Sequence, residues 1–150
     1  MDYKNHELHL ISKALKLLEK SLRSEAYEIY SSEQTINYLR LLLEHQEREV
    51  FATLLLDNKH RVIDCNLLFQ GTINSVKVYP REIARYALKH NAAAIICAHN
   101  HPSGVAEPSF SDRTIIKQIC LAMDLIGIST LDHIIIGHGD AVSFAERGWI

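Results

Sequence analysis

Residues 92–98 are a short run of small and apolar side chains that ends in Ala98-His99-Asn100-His101-Pro102-Ser103-Gly104. Such a run has the length and composition of a strand buried inside a sheet. Pro102 and Gly104 stop it and turn the chain. Alternate strand residues share a face, so His99 and His101 aim both imidazoles at one point. Seven residues separate His101 from Ser109, and two more separate Ser109 from Asp112. Pro108 precedes the start of the next helix, which puts Asp112 in its first turn. Two neutral imidazoles and a carboxylate leave the fourth position of a tetrahedral Zn²⁺ open, the arrangement of a catalytic rather than a structural site. Ser109-x-x-Asp112 is also a helix capping box in its own right. The two roles are compatible.

The rest of the chain supplies a frame for this segment. Leu8, Ile11, Leu15, Leu18 and Leu22 recur at helical steps. They predict an amphipathic helix that packs on its own domain, with self-association as the lesser alternative. Ser31-Ser-Glu-Gln34 reads as a capping box for a second helix, with Ile36, Leu39 and Leu43 inward. Residues 47–56 read as a strand buried on both faces, Asp57-Asn58-Lys59 as a turn, and residues 61–65 as a returning strand. Residues 68–78 read as an interrupted, extended arm. Pro80 opens a helix with Ile83, Ala84, Ala87 and Leu88 inward, closed by Asn91. A further helix carries Ile115, Ile116, Ile119, Ala122, Met123 and Ile126, and Gly127 ends it. Strands at residues 129–136 and 141–144 complete the pattern. Helices and strands mix without strict alternation, which predicts an α/β fold of three layers: a mixed sheet with flanking helices.

The spacing His99-x-His101, Ser109, Asp112 resembles the JAMM signature of the JAB/MPN metalloprotease superfamily. Within it the chain is similar to the RadC family. The segments His99-Asn-His-Pro-Ser-Gly104, Gly71-Thr-Ile-Asn74, Pro80-Arg-Glu82, Asp132-His-Ile-Ile-Ile-Gly137 and Ser143-Phe-Ala-Glu-Arg-Gly-Trp-Ile150 carry that likeness. It covers residues 31–150, leaving residues 1–30 as an N-terminal helical extension. The resemblance implies the JAB/MPN fold, related to cytidine deaminases. It also implies one Zn²⁺ ion with a bound water, held by His99, His101 and Asp112. Ser109 then donates to the oxyanion of a tetrahedral intermediate. The general base of such a site stands two residues before a phenylalanine at the start of an early strand. Here that residue is Glu49, ahead of Phe51, with Glu47 as the competitor. Tyr79 departs from the family, where a histidine often precedes Pro-Arg-Glu.

Other polar residues have plainer readings. Asp132-His133, near the end of a core strand, is expected to orient a metal ligand or to satisfy backbone groups. His6, His9, His45, His60, His90 and His138 fall in polar or terminal settings and read as surface residues. Arg81 and Glu82 read as a salt-bridged helix terminus. Cys65, Cys97 and Cys120 lack C-x-x-C spacing and read as reduced, small apolar residues, although Cys97 shares strand parity with His99.

The resemblance implies a zinc-dependent hydrolase of peptide or isopeptide bonds, acting on a peptide or protein tail. The alternative is a DNA-repair or mobile-element accessory protein that binds nucleic acid or a repair partner, which follows from how RadC relatives are labelled. Longer family members carry a helical DNA-binding-like region ahead of this domain, and about thirty residues are too few for a full copy. The net charge of −2 offers no basic footprint for nucleic acid. No stretch reaches eighteen apolar residues and the first residues lack a secretory profile, so the expectation is a cytoplasmic protein without a membrane partner. The patterns H-E-x-x-H, H-x-E…P-C-x-x-C, G-x-x-x-x-G-K-[ST] and G-x-G-x-x-G are all missing. Thermolysin-type proteolysis, base deamination and nucleotide binding therefore lack support.

Overall fold

The computed structural model describes residues 3–22, 32–73 and 75–150. Its elements run α1 (Asn5–Leu22), α2 (Ser32–Leu43), β1 (Val50–Leu56), β2 (Val62–Gln70), α3 (Pro80–Lys89), β3 (Ala94–Asn100), α4 (Phe110–Leu125), β4 (Ser129–Ile136) and β5 (Ala141–Ser143). The five strands form one sheet in the order β2-β1-β3-β4-β5. All pairings are antiparallel except β3 with β4, so the sheet is mixed, as expected. Ser31 of the expected capping box and the expected boundary between residues 30 and 31 lie outside the described residues.

Strand alternation sorts the apolar side chains of the inner strands onto two faces. Phe51, Leu55, Ile95, Cys97 and Ile135 meet Ile83 and Ala87 of α3 and Ile116, Ile119 and Met123 of α4. Ala52, Leu54, Ala94, Ile96, Ala98 and Ile134 meet Tyr38, Leu39 and Leu43 of α2, with Leu15 and Leu18 of α1 packed behind. The result is three layers: α1 and α2, the sheet, and α3 with α4. Every residue of β1 and β3 is buried. This is why both read as continuous apolar runs rather than as alternating strands.

Several boundaries differ from the sequence reading. β2 extends to Gln70, because residues 66–70 keep pairing with β1 past a register shift between Phe51 and Ala52. Of the expected arm, the described residues 71–73 and 75–78 lie outside the sheet. β1 begins at Val50 rather than at residue 47, and β3 runs from Ala94 through His99 to Asn100. Leu88 and Ile126 are 54% and 38% exposed instead of inward. Leu88 follows the buried Ala87 by one step, a rotation of about 100° away from the core, and Ile126 lies past the last turn of α4 as its C-cap.

The loop carrying His101 leans on the β4–β5 turn. His138 N donates to Gly104 O at 2.8 Å, and Gly137 N donates to Asp140 O at 3.0 Å. A Cβ at Gly137 would run into Asp140 Oδ1 and the backbone of Gly104 and Ala106. Gly137→Ala is therefore expected to cost about 1–3 kcal/mol by overpacking, read as a lowered urea midpoint. An unchanged midpoint would show that these loops are not in close register.

Candidate metal centre

His99 is the penultimate residue of β3 and faces the α3/α4 side of the sheet, 2% exposed. His101 lies one residue past the strand, and its N–H still donates to Ile136 O at 2.9 Å. The expected same-face placement therefore holds, although a turn rather than the strand carries the second ring. The two Nε2 atoms stand 3.1 Å apart. Asp112, in the first turn of α4, sets Oδ1 3.2 Å from His99 Nε2 and Oδ2 3.2 Å from His101 Nε2. Glu49 Oε1 is 3.7 Å from His99 Nε2. One ligating atom from each of these four residues lies within 4.8 Å of all the others.

These separations suit a divalent cation. Zinc bonds of about 2.0–2.1 Å imply donor–donor edges of about 3.3 Å in a tetrahedron. The two imidazoles and Asp112 meet that spacing, while Glu49 stands slightly farther off. The tautomer of His101 is set locally: Nδ1 lies 2.8 Å from Val105 O, a carbonyl that can only accept, so Nδ1 donates. When that ring is neutral, its Nε2 lone pair faces the cluster. Asp112 is held by a reciprocal capping box, Ser109 N donating to Oδ2 at 2.8 Å and Asp112 N donating to Ser109 Oγ at 3.1 Å. The capping reading of Ser109 thus holds in full, and its hydroxyl hydrogen is not used by the cap.

Electrostatics follow the same geometry. Burial alone would raise the Asp112 carboxyl, but hydrogen bonds from His101 and His99 hold it well below the usual carboxylate range. Burial disfavours the charged His101 ring, yet its bond to Asp112 outweighs this and raises its pKa. Burial pushes the Glu49 carboxyl up, against the opposing pull of His99 and His101. A cation at this cluster would compete with the proton on His101 Nε2, so its uptake would release protons.

Glu49 owes its position to residues outside the metal cluster. Asn100, between the two histidines, accepts from Val50 N at 2.7 Å and donates to Arg48 O at 3.0 Å and Gln46 O at 3.3 Å. That buried amide clips the approach to β1 onto the end of β3. Glu49 also exchanges backbone bonds with the arm: Glu49 N donates to Thr72 O and Gly71 N to Glu49 O, both at 2.8 Å. A Cβ at Gly71 would collide with Ser75 O. Glu47, the competitor, is exposed on a bend outside the cluster. Nothing in the sequence reading singled out Asn100; the available signal was a polar amide where strand parity puts the opposite, apolar face.

The Asp132-His133 pair divides its labour. His133 is fully buried and its Nε2 lies 2.8 Å from His99 Nδ1. Burial drives its pKa well below that of an ordinary histidine. Asp132 reaches no ligand. It accepts from Ser143 Oγ at 2.6 Å, His133 N at 2.7 Å and Ala145 N at 2.9 Å. Burial nevertheless outweighs these bonds and raises its pKa. Cys97 is buried beside this group, its thiol pushed up to about 12 by burial, and stands outside the four-residue cluster. None of the three cysteines is in a disulfide. His6, His9 and His138 are exposed as expected, whereas His45, His60 and His90 are half-buried; His90 Nδ1 contacts Tyr86 O at 2.9 Å. Arg81 and Arg85 both lie near Glu82, at 3.9 and 3.5 Å.

Comparison with known proteins agrees with this geometry. A family profile described as "RadC-like JAB domain" matches residues 29–149. Among curated relatives, a UPF0758 protein of Vibrio campbellii is 54% identical over 134 residues, covering 89% of this chain and 59% of the relative. Its counterpart in Aeromonas hydrophila is 60% identical over 120 residues, covering 80% and 54%. That of Tolumonas auensis is 61% identical over 113 residues, covering 75% and 50%. The chain thus spans between half and three fifths of the length of these relatives.

Capping and ligation separate in a thermal-shift experiment. Zn²⁺ at a hundred times its Kd is expected to stabilise the wild type by about 2.7 kcal/mol. Ser109→Ala should lose about 1 kcal/mol of cap stability but keep the zinc response. Asp112→Ala should lose both. A full zinc response in Asp112→Ala would remove the carboxylate from the ligand set.

Proposed function

This chain belongs to the family described as the RadC-like JAB domain, and on that footing we propose that it is a zinc-dependent hydrolase of peptide or isopeptide bonds. The observation that supports this reading best is the convergence of two Nε2 atoms and one carboxylate at 3.1–3.2 Å, with a buried second carboxylate 3.7 Å away. His99, His101 and Asp112 are the three holders. Three protein ligands rather than four is the hallmark of a hydrolytic zinc site.

A zinc ion held there supplies Lewis acidity, making water easier to deprotonate and a carbonyl easier to attack. Glu49 takes a proton from the attacking water and later delivers it to the leaving amine. Its burial suits the task, because burial raises its pKa and so strengthens the carboxylate as a proton acceptor. Ser109 is exposed at the mouth of α4. Its hydroxyl accepts the cap bond through oxygen and donates its hydrogen to the oxyanion that develops on the substrate. The substrate is a peptide or protein tail that enters as an extended segment.

The reading of the chain as a DNA-repair accessory has less to support it. The net charge of −2 provides no excess of cations for phosphates. No helix among the described residues is long and apolar enough to cross a membrane.

The test is cleavage of a peptide library by zinc-loaded protein. Glu49→Gln should retain zinc and lose about 10²–10⁴-fold in turnover, while Glu47→Gln stays at wild-type rate. The His99→Ala, His101→Ala double variant should lose metal and activity together. Undiminished turnover in Glu49→Gln would dismiss that residue as the base. An inert, zinc-loaded wild type that shifts with DNA in a salt-dependent manner would favour the accessory reading.

A further inference from the structure

The mechanism above uses every titratable group of the cluster and leaves one buried imidazole without a task. His133 sits in β4, 0% exposed, with Phe51 stacked 5.6 Å from its ring and Phe144 edge-on at 5.0 Å. Core histidines are rare in so apolar a setting, and a phenylalanine would fill the same space without desolvating two ring nitrogens. One of those nitrogens, Nε2, lies 2.8 Å from His99 Nδ1. The other, Nδ1, is buried and has no hydrogen-bond partner among the described residues.

We propose that His133 is a positioning residue for the metal: in the loaded protein its Nε2 accepts the Nδ1–H of His99, which leaves His99 Nε2 without a proton and aimed at the cation. The inference rests on the metal-centre reading above and goes beyond it, since that reading needs only His99, His101, Asp112 and Glu49. A bond between two neutral imidazole nitrogens contains one proton. If His99 Nδ1 donates it, His99 Nε2 keeps a lone pair and can ligate. If His133 Nε2 donates it, the proton of His99 sits on Nε2, pointing at Asp112 Oδ1 3.2 Å away, and ligation is blocked.

His101 has no such choice, because its Nδ1 faces the carbonyl of Val105, which only accepts. His99 faces a partner that works in either direction. With metal bound, the proton of His133 must move to Nδ1, the atom that has no acceptor. The pair is therefore a two-state element. The unbound arrangement gives His99 a carboxylate to donate to, and the bound one leaves an N–H unmatched in the core. His133 thus supplies the acceptor that His99 Nδ1–H needs when His99 ligates. A structural filler would not.

The test is zinc affinity by chelator competition, with folding followed by circular dichroism. His133→Phe should fold and bind zinc about 10–100-fold more weakly, the usual effect of removing a ligand's hydrogen-bond partner. His133→Gln, whose amide oxygen takes the place of Nε2 as acceptor, should return close to wild-type affinity. Nitrogen-15 spectra of the zinc-loaded wild type should show His133 Nε2 unprotonated and Nδ1 protonated. Equal zinc affinity of wild type and His133→Phe would overturn the inference while leaving the metal centre intact. A protonated His133 Nε2 in the loaded protein would also overturn it, and this measurement decides should His133→Phe not fold. A wild type that binds no zinc would remove the metal centre and this inference with it.

Discussion

The antiparallel pairing of β1 with β3 is the contact on which the candidate site depends. Phe51 stands opposite His99 in that ladder. Glu49, two residues earlier, is thereby carried past the end of the pairing to the level of the histidine turn. Both strands are buried on both faces. A one-residue slip would send every side chain of β1 to the opposite layer, Phe51 into the α2 side and Val50 into the α4 side. Two independent apolar layers thus hold the register, and the register sets where a carboxylate meets the two imidazoles.

A polar cluster in such a setting survives only because its atoms are answered from nearby. Val105 O orients one ring and His133 the other, while Ser109 N steadies Asp112 from the helix start. Asn100 does the corresponding work for Glu49 by tying down the segment ahead of β1. Asp132 acts at one remove. By gathering Ser143, Ala145 and the backbone of His133, it folds the C-terminal segment so that Phe144 packs against the His133 ring. Trp149 then closes over Phe144 at 5.1 Å, and Arg113 of α4 lies 4.2 Å over the indole. The C-terminal residues are in this way part of the wall behind the site.

Much of this was legible before any coordinates. His99-x-His101 at the end of an apolar run implies two rings on one side, and Ser109-x-x-Asp112 implies a carboxylate at a helix start. Apolar runs bounded by turn residues, together with period-3.6 patterns, located the strands and helices of the described chain, with errors at the ends. The errors have a common cause. Leu88 and Ile126 are as apolar as their buried neighbours, and only the orientation of the helix against the sheet decides which faces solvent. Residues 68–70 look like part of an irregular arm because the shift in register with β1 is a property of two strands together, not of either alone.

What the sequence determined by itself were the short-range relations: residue spacing along one strand or one helical turn, where covalent geometry leaves few options. Glu49 against Glu47 could not be separated that way, since both precede the strand with the same parity. Tertiary structure brings Glu49 and not Glu47 to the cluster, because Asn100 ties down residues 46, 48 and 50 and the 71–72 arm ties down residue 49, which leaves the residue 47 side chain exposed. It likewise decided that His133, and not its neighbour Asp132, touches His99. Side chains adjacent on a strand point to opposite faces, and which face holds the His-His-Asp-Glu cluster is settled only when β3 and β4 lie side by side.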